Sequence, residues 1–266
     1  MNDQLAPSVL DKYRIRDEGK CWICGAPATT SEHKYKHSDL RRIRGSSKED
    51  GVYRVAKVGY TGELRSLKKG HAVLWSRCLC AKCNNQRSQP FDRSYDQFVD
   101  YISVNWEGLM KARRLKWRHV YGDDLGAKAK DLSKYLVKQF GCMLRTENLP
   151  VPPEAPRFLN GGDIGDLMVS MFVDDELLDA RDRAMHSMGD DVWLRTYVGL
   201  PETSALHDGR NLTGAEYRLQ LGYILLCVKW VKGERFPSIH ERATFRIRHL
   251  EADGRTAGSE ESGSAS

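Results

Sequence analysis

From about position 84 onward, apolar residues return at three- and four-residue steps. Phe91, Tyr95, Phe98, Val99 and Ile102 fall on one face of a helix, and that face needs a core to cover it. A second helical pattern runs over 127–140. Ahead of position 84 the rhythm differs. Residues 51–58 alternate apolar with polar, and 72–75 are a short apolar run, so both predict short strands within a long stretch, 34–77, rich in Gly, Ser, Lys and Arg. The first twenty residues read as a short helical lead-in. Pro150, Pro152, Pro153 and Pro156 then interrupt the chain, and because proline disfavours helix in the residue before it, they predict a boundary. Beyond them, 167–172, 192–198, 217–231 and 244–250 are strand candidates. The run 219–231 fits a buried helix equally well, and periodicity does not choose between the two.

These patterns give an α+β expectation. It comprises a lead-in over 1–20, a domain over 21–148 that ends in helices, a proline-rich linker over 149–156, a mixed α/β domain over 157–250, and a disordered tail over 251–266 rich in Gly, Ser, Ala and Glu. A chain of 266 residues, 40% hydrophobic, is long enough for one large core or two modest ones, and two domains are expected. No run of 18 apolar residues occurs, and no apolar stretch follows a basic start, so a soluble, cytoplasmic protein without a membrane partner is expected. The net charge of +6 is unevenly placed: residues 1–121 carry 24 Lys and Arg against 13 Asp and Glu, and the remainder is acidic. The basic part is where a polyphosphate partner would sit, although such residues also simply solvate a surface.

Cysteine placement narrows the chemistry. Cys21-x-x-Cys24 and Cys80-x-x-Cys83 are two knuckles with 55 residues between them. A two-residue gap lets both thiolates of a knuckle face one ion, and four thiolates make a closed tetrahedral Zn²⁺ site, which is structural because no position is left open. Cys78 could stand in for Cys80 if the second knuckle were irregular. An odd total of seven cysteines argues against a disulfide framework. Cys142 and Cys227 sit in apolar surroundings and read as core.

Ser31-Glu32-His33 lies between the knuckles, and Asn84-Asn85-Gln86-Arg87 follows the second. Glu32 and Asn84 offer hard oxygens to a divalent cation, and the His33 imidazole can take a proton near neutral pH. Those are parts for hydrolysing a phosphodiester. The order Cys-x-x-Cys, acidic-His, Cys-x-x-Cys-Asn resembles the HNH endonucleases, particularly the four-cysteine type of the endonuclease VII-like phage nucleases. The resemblance spans 21–92. It implies a zinc-stapled ββα-metal domain in which Cys21, Cys24, Cys80 and Cys83 hold the structural zinc. Glu32 and Asn84 would hold a catalytic Mg²⁺ or Mn²⁺, with His33 as the general base. It implies nucleic acid, chiefly DNA, as partner, and such proteins occur in restriction, phage defence and mobile elements.

Two departures stand out. Where the family often has a His or Asn eight or nine residues past its central Asn, this chain has Asp92, a candidate site carboxylate or a support for the helix. The 46 residues between His33 and Cys80 exceed a compact hairpin, and Arg41, Arg42, Arg44, Lys57, Lys68 and Lys69 within them could follow a substrate backbone. Arg87 and Arg93 are candidate phosphate contacts, since arginine grips phosphate through a planar fork. His37 is a candidate support residue or a solvated loop histidine, and His71 has no evident partner. The basic segment 111–118 could track a backbone, with Trp117 read as core rather than as a stacking ring. The C-terminal part offers no comparable catalytic set and could mediate a homodimer. A non-catalytic zinc-ribbon binding module is the rival reading.

Overall fold

The computed structural model describes residues 9–36, 38–39, 54–57, 60–63, 73–173, 179, 202–221 and 224–249. His37, His71, five of the six cations of the long loop (Arg41, Arg42, Arg44, Lys68 and Lys69), the strand expected at 192–198 and the tail 251–266 lie outside the described residues. The lead-in contains a 3-10 turn, Val9–Tyr13. Strand β1 (Thr30–His33) pairs antiparallel with β4 (Leu74–Leu79), and β2 (Arg54–Lys57) pairs with β3 (Tyr60–Glu63) in a separate hairpin between them. After β4 comes a π-helical turn, Lys82–Arg87, and then the long helix α1, Gln89–Ala112. Pro90 stands at the start of α1, where its missing N–H costs nothing. The expected stripe of Phe91, Tyr95, Phe98, Val99 and Ile102 is buried, with Leu109 continuing it.

Helix α1 stops at Arg113, which takes a left-handed backbone (φ 49°) and donates its N–H to the Leu109 carbonyl. A short strand β5 (Arg114–Lys116) and a short helix α2 (Trp117–Tyr121) follow. Helix α3 (Leu125–Thr146) then runs through the middle of the molecule, buried without interruption from Leu132 to Leu144 apart from Lys134. A helix buried on nearly all sides, with Ser133, Lys138 and Gln139 among its buried residues, needs cover from several elements and polar partners inside it. Here α1 and β4 cover one flank, and a five-stranded sheet covers another.

That sheet has the order β11-β6-β9-β8-β7, made of β6 (Leu167–Val173), β7 (Glu202–His207), β8 (Leu212–Leu221), β9 (Ile224–Val231) and β11 (Arg248–His249). Every pairing is antiparallel except β11 with β6. Within the undecided stretch, residues 219–221 and 224–231 are strand: Leu221 pairs with Ile224, and β9 is apolar apart from Lys229 because it is interior to the sheet. The expected strand at 244–250 breaks into β10 (Thr244–Arg246), which leaves the sheet to pair with β5, and β11.

The prolines do not mark an open connection. They break the helix after α3 and start a short helix, α4 (Glu154–Leu159), whose Ala155 and Phe158 are fully buried, as is Leu149 nearly so. Side chains from both sides of the stretch belong to one continuous core. The proline stretch thus has flanks that share that core, and the described residues after it form a mainly antiparallel sheet packed on α3. No helix of the described residues is long and apolar enough to cross a membrane.

Candidate functional site

The two knuckles meet. The sulfur atoms of Cys21, Cys24, Cys80 and Cys83 all lie within 4.8 Å of one another, with Cys24 and Cys80 at 3.6 Å. Four thiolates around one zinc at about 2.3 Å stand about 3.8 Å apart, so the donor set and spacing fit that ion. The first knuckle turns because Gly25 has φ 76°, a conformation glycine adopts freely, while Cys21 donates its N–H to Ala26 and Gly25 donates to Cys21. In the second, Cys83 donates its N–H to the Cys80 sulfur at 3.4 Å, and that bond brings the Cys80 thiol down to about 7. Burial pushes the Cys21 and Cys83 thiols up, so metal binding must displace their protons. Cys78 is outside the cluster and buried against Cys142. Cys142 and Cys227 are both buried.

Trp22 ties this knuckle to the rest. Its indole packs against Gly141 of α3, so close that a methyl group there would sit 2.7 Å or less from three ring carbons. Strand β4 is tied to the same helix by Trp75, whose indole N–H donates to Gln139 at 2.7 Å, and by Ser76, whose N–H donates to Thr146 at 3.0 Å.

Ser31, Glu32 and His33 occupy β1, which meets β4 in an irregular register: Ser31 lies opposite Arg77 and His33 opposite Leu74. All three are half-buried. Asn84, on the π-helical turn, reaches back to this strand and donates from Nδ2 to the Ser31 carbonyl at 3.2 Å. Its Oδ1 is buried and receives no hydrogen bond among the described residues. A buried carbonyl oxygen without a donor is costly unless a cation or water completes it, and it is a donor type that Mg²⁺ accepts.

Glu32 and Asp92 are joined through a residue that pattern reading did not single out. Lys138, fully buried on α3, places its ammonium 3.2 Å from Glu32 Oε1 and 3.2 Å from Asp92 Oδ1. Burial alone would pull this ammonium down, but the two carboxylates outweigh it and hold Lys138 above its ordinary value. Gln139 donates to the same Glu32 oxygen at 3.2 Å, which leaves Oε2 outside both contacts. Asp92 also accepts from Ser88 on Oδ2, and its carbonyl accepts from Lys36 at 2.7 Å. Both oxygens of Asp92 are thus used to fasten the start of α1 to its neighbours. The available signal for Lys138 was a charge on the apolar stripe of the 127–140 helix, between Val137 and Phe140.

The arginines stand apart from this cluster. Arg87 is exposed and donates to the Asn160 side chain at the end of α4, and Arg93 is exposed on α1. Trp117 is core: fully buried, stacked on Tyr121, and donating its indole N–H to the Ile239 carbonyl at 2.7 Å. Among the described residues, the four cysteines are the group of three or more His, Cys, Asp or Glu able to close on one ion. No protein family matches the chain, and no curated protein or solved structure matches it either.

Proposed function

We propose that this protein is a metal-dependent endonuclease of the HNH type that hydrolyses DNA phosphodiester bonds. The observation that carries the reading is the arrangement around Asn84. Two knuckles bracket an antiparallel strand pair, the first strand carries Glu32 and His33, and the helical turn after the second knuckle bonds to that strand while keeping the buried Asn84 Oδ1 without a donor. The four cysteines hold a structural zinc. Asn84 Oδ1 and the remaining Glu32 oxygen would hold Mg²⁺ or Mn²⁺. When bound, such an ion stabilises the negative charge that builds on the phosphate. His33 takes the proton of the attacking water on a ring nitrogen. Lys138 and Gln139 fix the Glu32 carboxylate, and Arg87 and Arg93, both exposed near the start of α1, offer forks to the flanking phosphates.

A second reading has an observation of its own. Glu32 already shares one oxygen between Lys138 and Gln139, an arrangement that suits a zinc-stapled binding module whose acidic residue is purely structural. Nicking of supercoiled plasmid separates the two. The nuclease reading requires cutting with Mg²⁺ or Mn²⁺ that chelator abolishes and that His33→Ala loses with zinc content unchanged. Tight DNA binding without cutting under any of these conditions would establish the module.

A further inference from the structure

We propose that the far end of α1 carries a second nucleic-acid site, a groove that holds an unpaired DNA strand by stacking a base and gripping its phosphates. The groove has a volume of 860 Å³, within the range of about 300–1,000 Å³ usual for ligand sites, and lies between the second half of α1 and the β5–α2 segment. Half-buried Tyr101 and Trp106 give it aromatic surface, and Arg114, Lys116 and His119 line it as well. Glu107 is the one acidic residue among its lining.

The strand pairing at its edge points to an anionic occupant. On β5 the side chains of Arg114 and Lys116 are exposed on one face while Leu115 between them is buried. Strand β10 sets Arg246 directly opposite Arg114, and Arg246 is exposed too. Like charges directly opposite one another destabilise a strand pair. None of the three cations forms an ion pair among the described residues. A phosphate backbone laid across this face offsets their repulsion, and an aromatic ring beside it accepts any base by its π-face, the combination that single-strand binding sites use. Duplex ends have their bases already stacked and gain only the charge contact.

Helix α1 fixes the spacing to the proposed cutting site. From Asp92 to Trp106 is about fourteen residues, or about 21 Å at 1.5 Å per residue, which corresponds to about six base pairs of duplex. The groove would thus hold a frayed or branched strand of the DNA being cut. Its assignment to DNA rests on the proposed function, whereas the strand-and-stack site stands on the groove itself.

The test is fluorescence anisotropy with a labelled 20-nucleotide single strand and with the same sequence as duplex, in chelator that leaves zinc bound, across a salt series. The variants are Arg114→Ala/Lys116→Ala/Arg246→Ala, all three exposed, and Trp106→Leu, each checked for zinc content and melting. The triple variant is expected to weaken the single strand at least tenfold and to lower the salt slope by about 2, at about 0.7 per phosphate contact. Trp106→Leu is expected to weaken the single strand about tenfold and leave duplex binding unchanged. Wild-type affinity and slope in the triple variant would overturn the site. Equal losses on single strand and duplex in Trp106→Leu would overturn the stacking. Displacement by polyglutamate at equal charge would assign the groove to an acidic protein segment instead, and tighter binding of RNA of the same sequence would overturn the assignment to DNA. Because binding is read without a catalytic metal, failure of the plasmid assay bears on the nuclease reading alone.

Discussion

Replacing Lys138 with methionine preserves most of the side chain's length and removes only the ammonium that Glu32 and Asp92 share. Both carboxylates sit 3.2 Å from that nitrogen, and their side chains are 12% and 29% exposed, so water can replace the lost cation only in part. Breaking a buried ion pair by deleting one partner typically costs about 3–5 kcal/mol, because the other charge is left uncompensated. The partial exposure of Asp92 discounts its share, and a loss of about 3–4 kcal/mol is expected. At about 2–4 °C per kcal/mol for a chain of this size, the melting temperature should fall by about 6–16 °C. Urea denaturation of the zinc-loaded protein at pH 7, extrapolated to water, gives the free energy directly. The combined variant Lys138→Met/Glu32→Gln/Asp92→Asn should regain most of the loss, since neutral amides leave no charge stranded. A loss under about 1 kcal/mol for Lys138→Met, or a combined variant no more stable than the single one, would refute the claim that this lysine holds the two acids together.

Other expectations follow from particular contacts. The protein should carry one zinc per chain by elemental analysis, and Cys24→Ser or Cys83→Ser should lose it together with the fold of 21–92, since structural zinc contributes about 10–16 kcal/mol to small zinc folds. Gly141→Ala should cost about 1–3 kcal/mol in denaturant, because the added methyl group collides with the Trp22 ring, and Trp22→Leu should relieve that cost. Burial brings His240, whose ring lies 2.9 Å from the Ser133 hydroxyl, down from 6.5 to about 4. A histidine depressed in the folded state binds fewer protons than in the unfolded one, so its contribution is full above pH 6.5 and is lost as pH falls toward 4. With its partial exposure taken into account this amounts to about 2 kcal/mol, and His240→Gln should flatten the stability profile over that window.

What the sequence displays and what it conceals have physical reasons. The knuckles were readable because one ion imposes the two-residue gap on each pair, and Cys80 rather than Cys78 joins the cluster for the same reason. The α1 stripe was readable because a helix covered on one face repeats its apolar positions. Residues 219–231 were not, since an interior strand and an enclosed helix are both largely apolar without period, and the pairing of Leu221 with Ile224 leaves no mark on that pattern. Lys138 was concealed because a charge in a helix ordinarily faces water, and its partners lie 106 and 46 positions away in sequence. The prolines suggested separation because they end helices, but ending a helix says nothing about whether Leu149 and Phe158 are then buried in the same core. Of the two tryptophans near the basic segment, Trp117 is buried and bonded to the Ile239 carbonyl, whereas Trp106 lines the groove.

The central claim is that Glu32, His33 and Asn84 cut DNA while the four cysteines hold the fold. Its most direct test is the rate of supercoiled plasmid nicking by zinc-loaded wild type and His33→Ala protein in Mg²⁺ or Mn²⁺. The account requires cutting by wild type and at least a hundredfold less by His33→Ala, with melting temperature and zinc content unchanged, as loss of a general base removes about 10²–10⁴-fold. Equal nicking by the two proteins would contradict it.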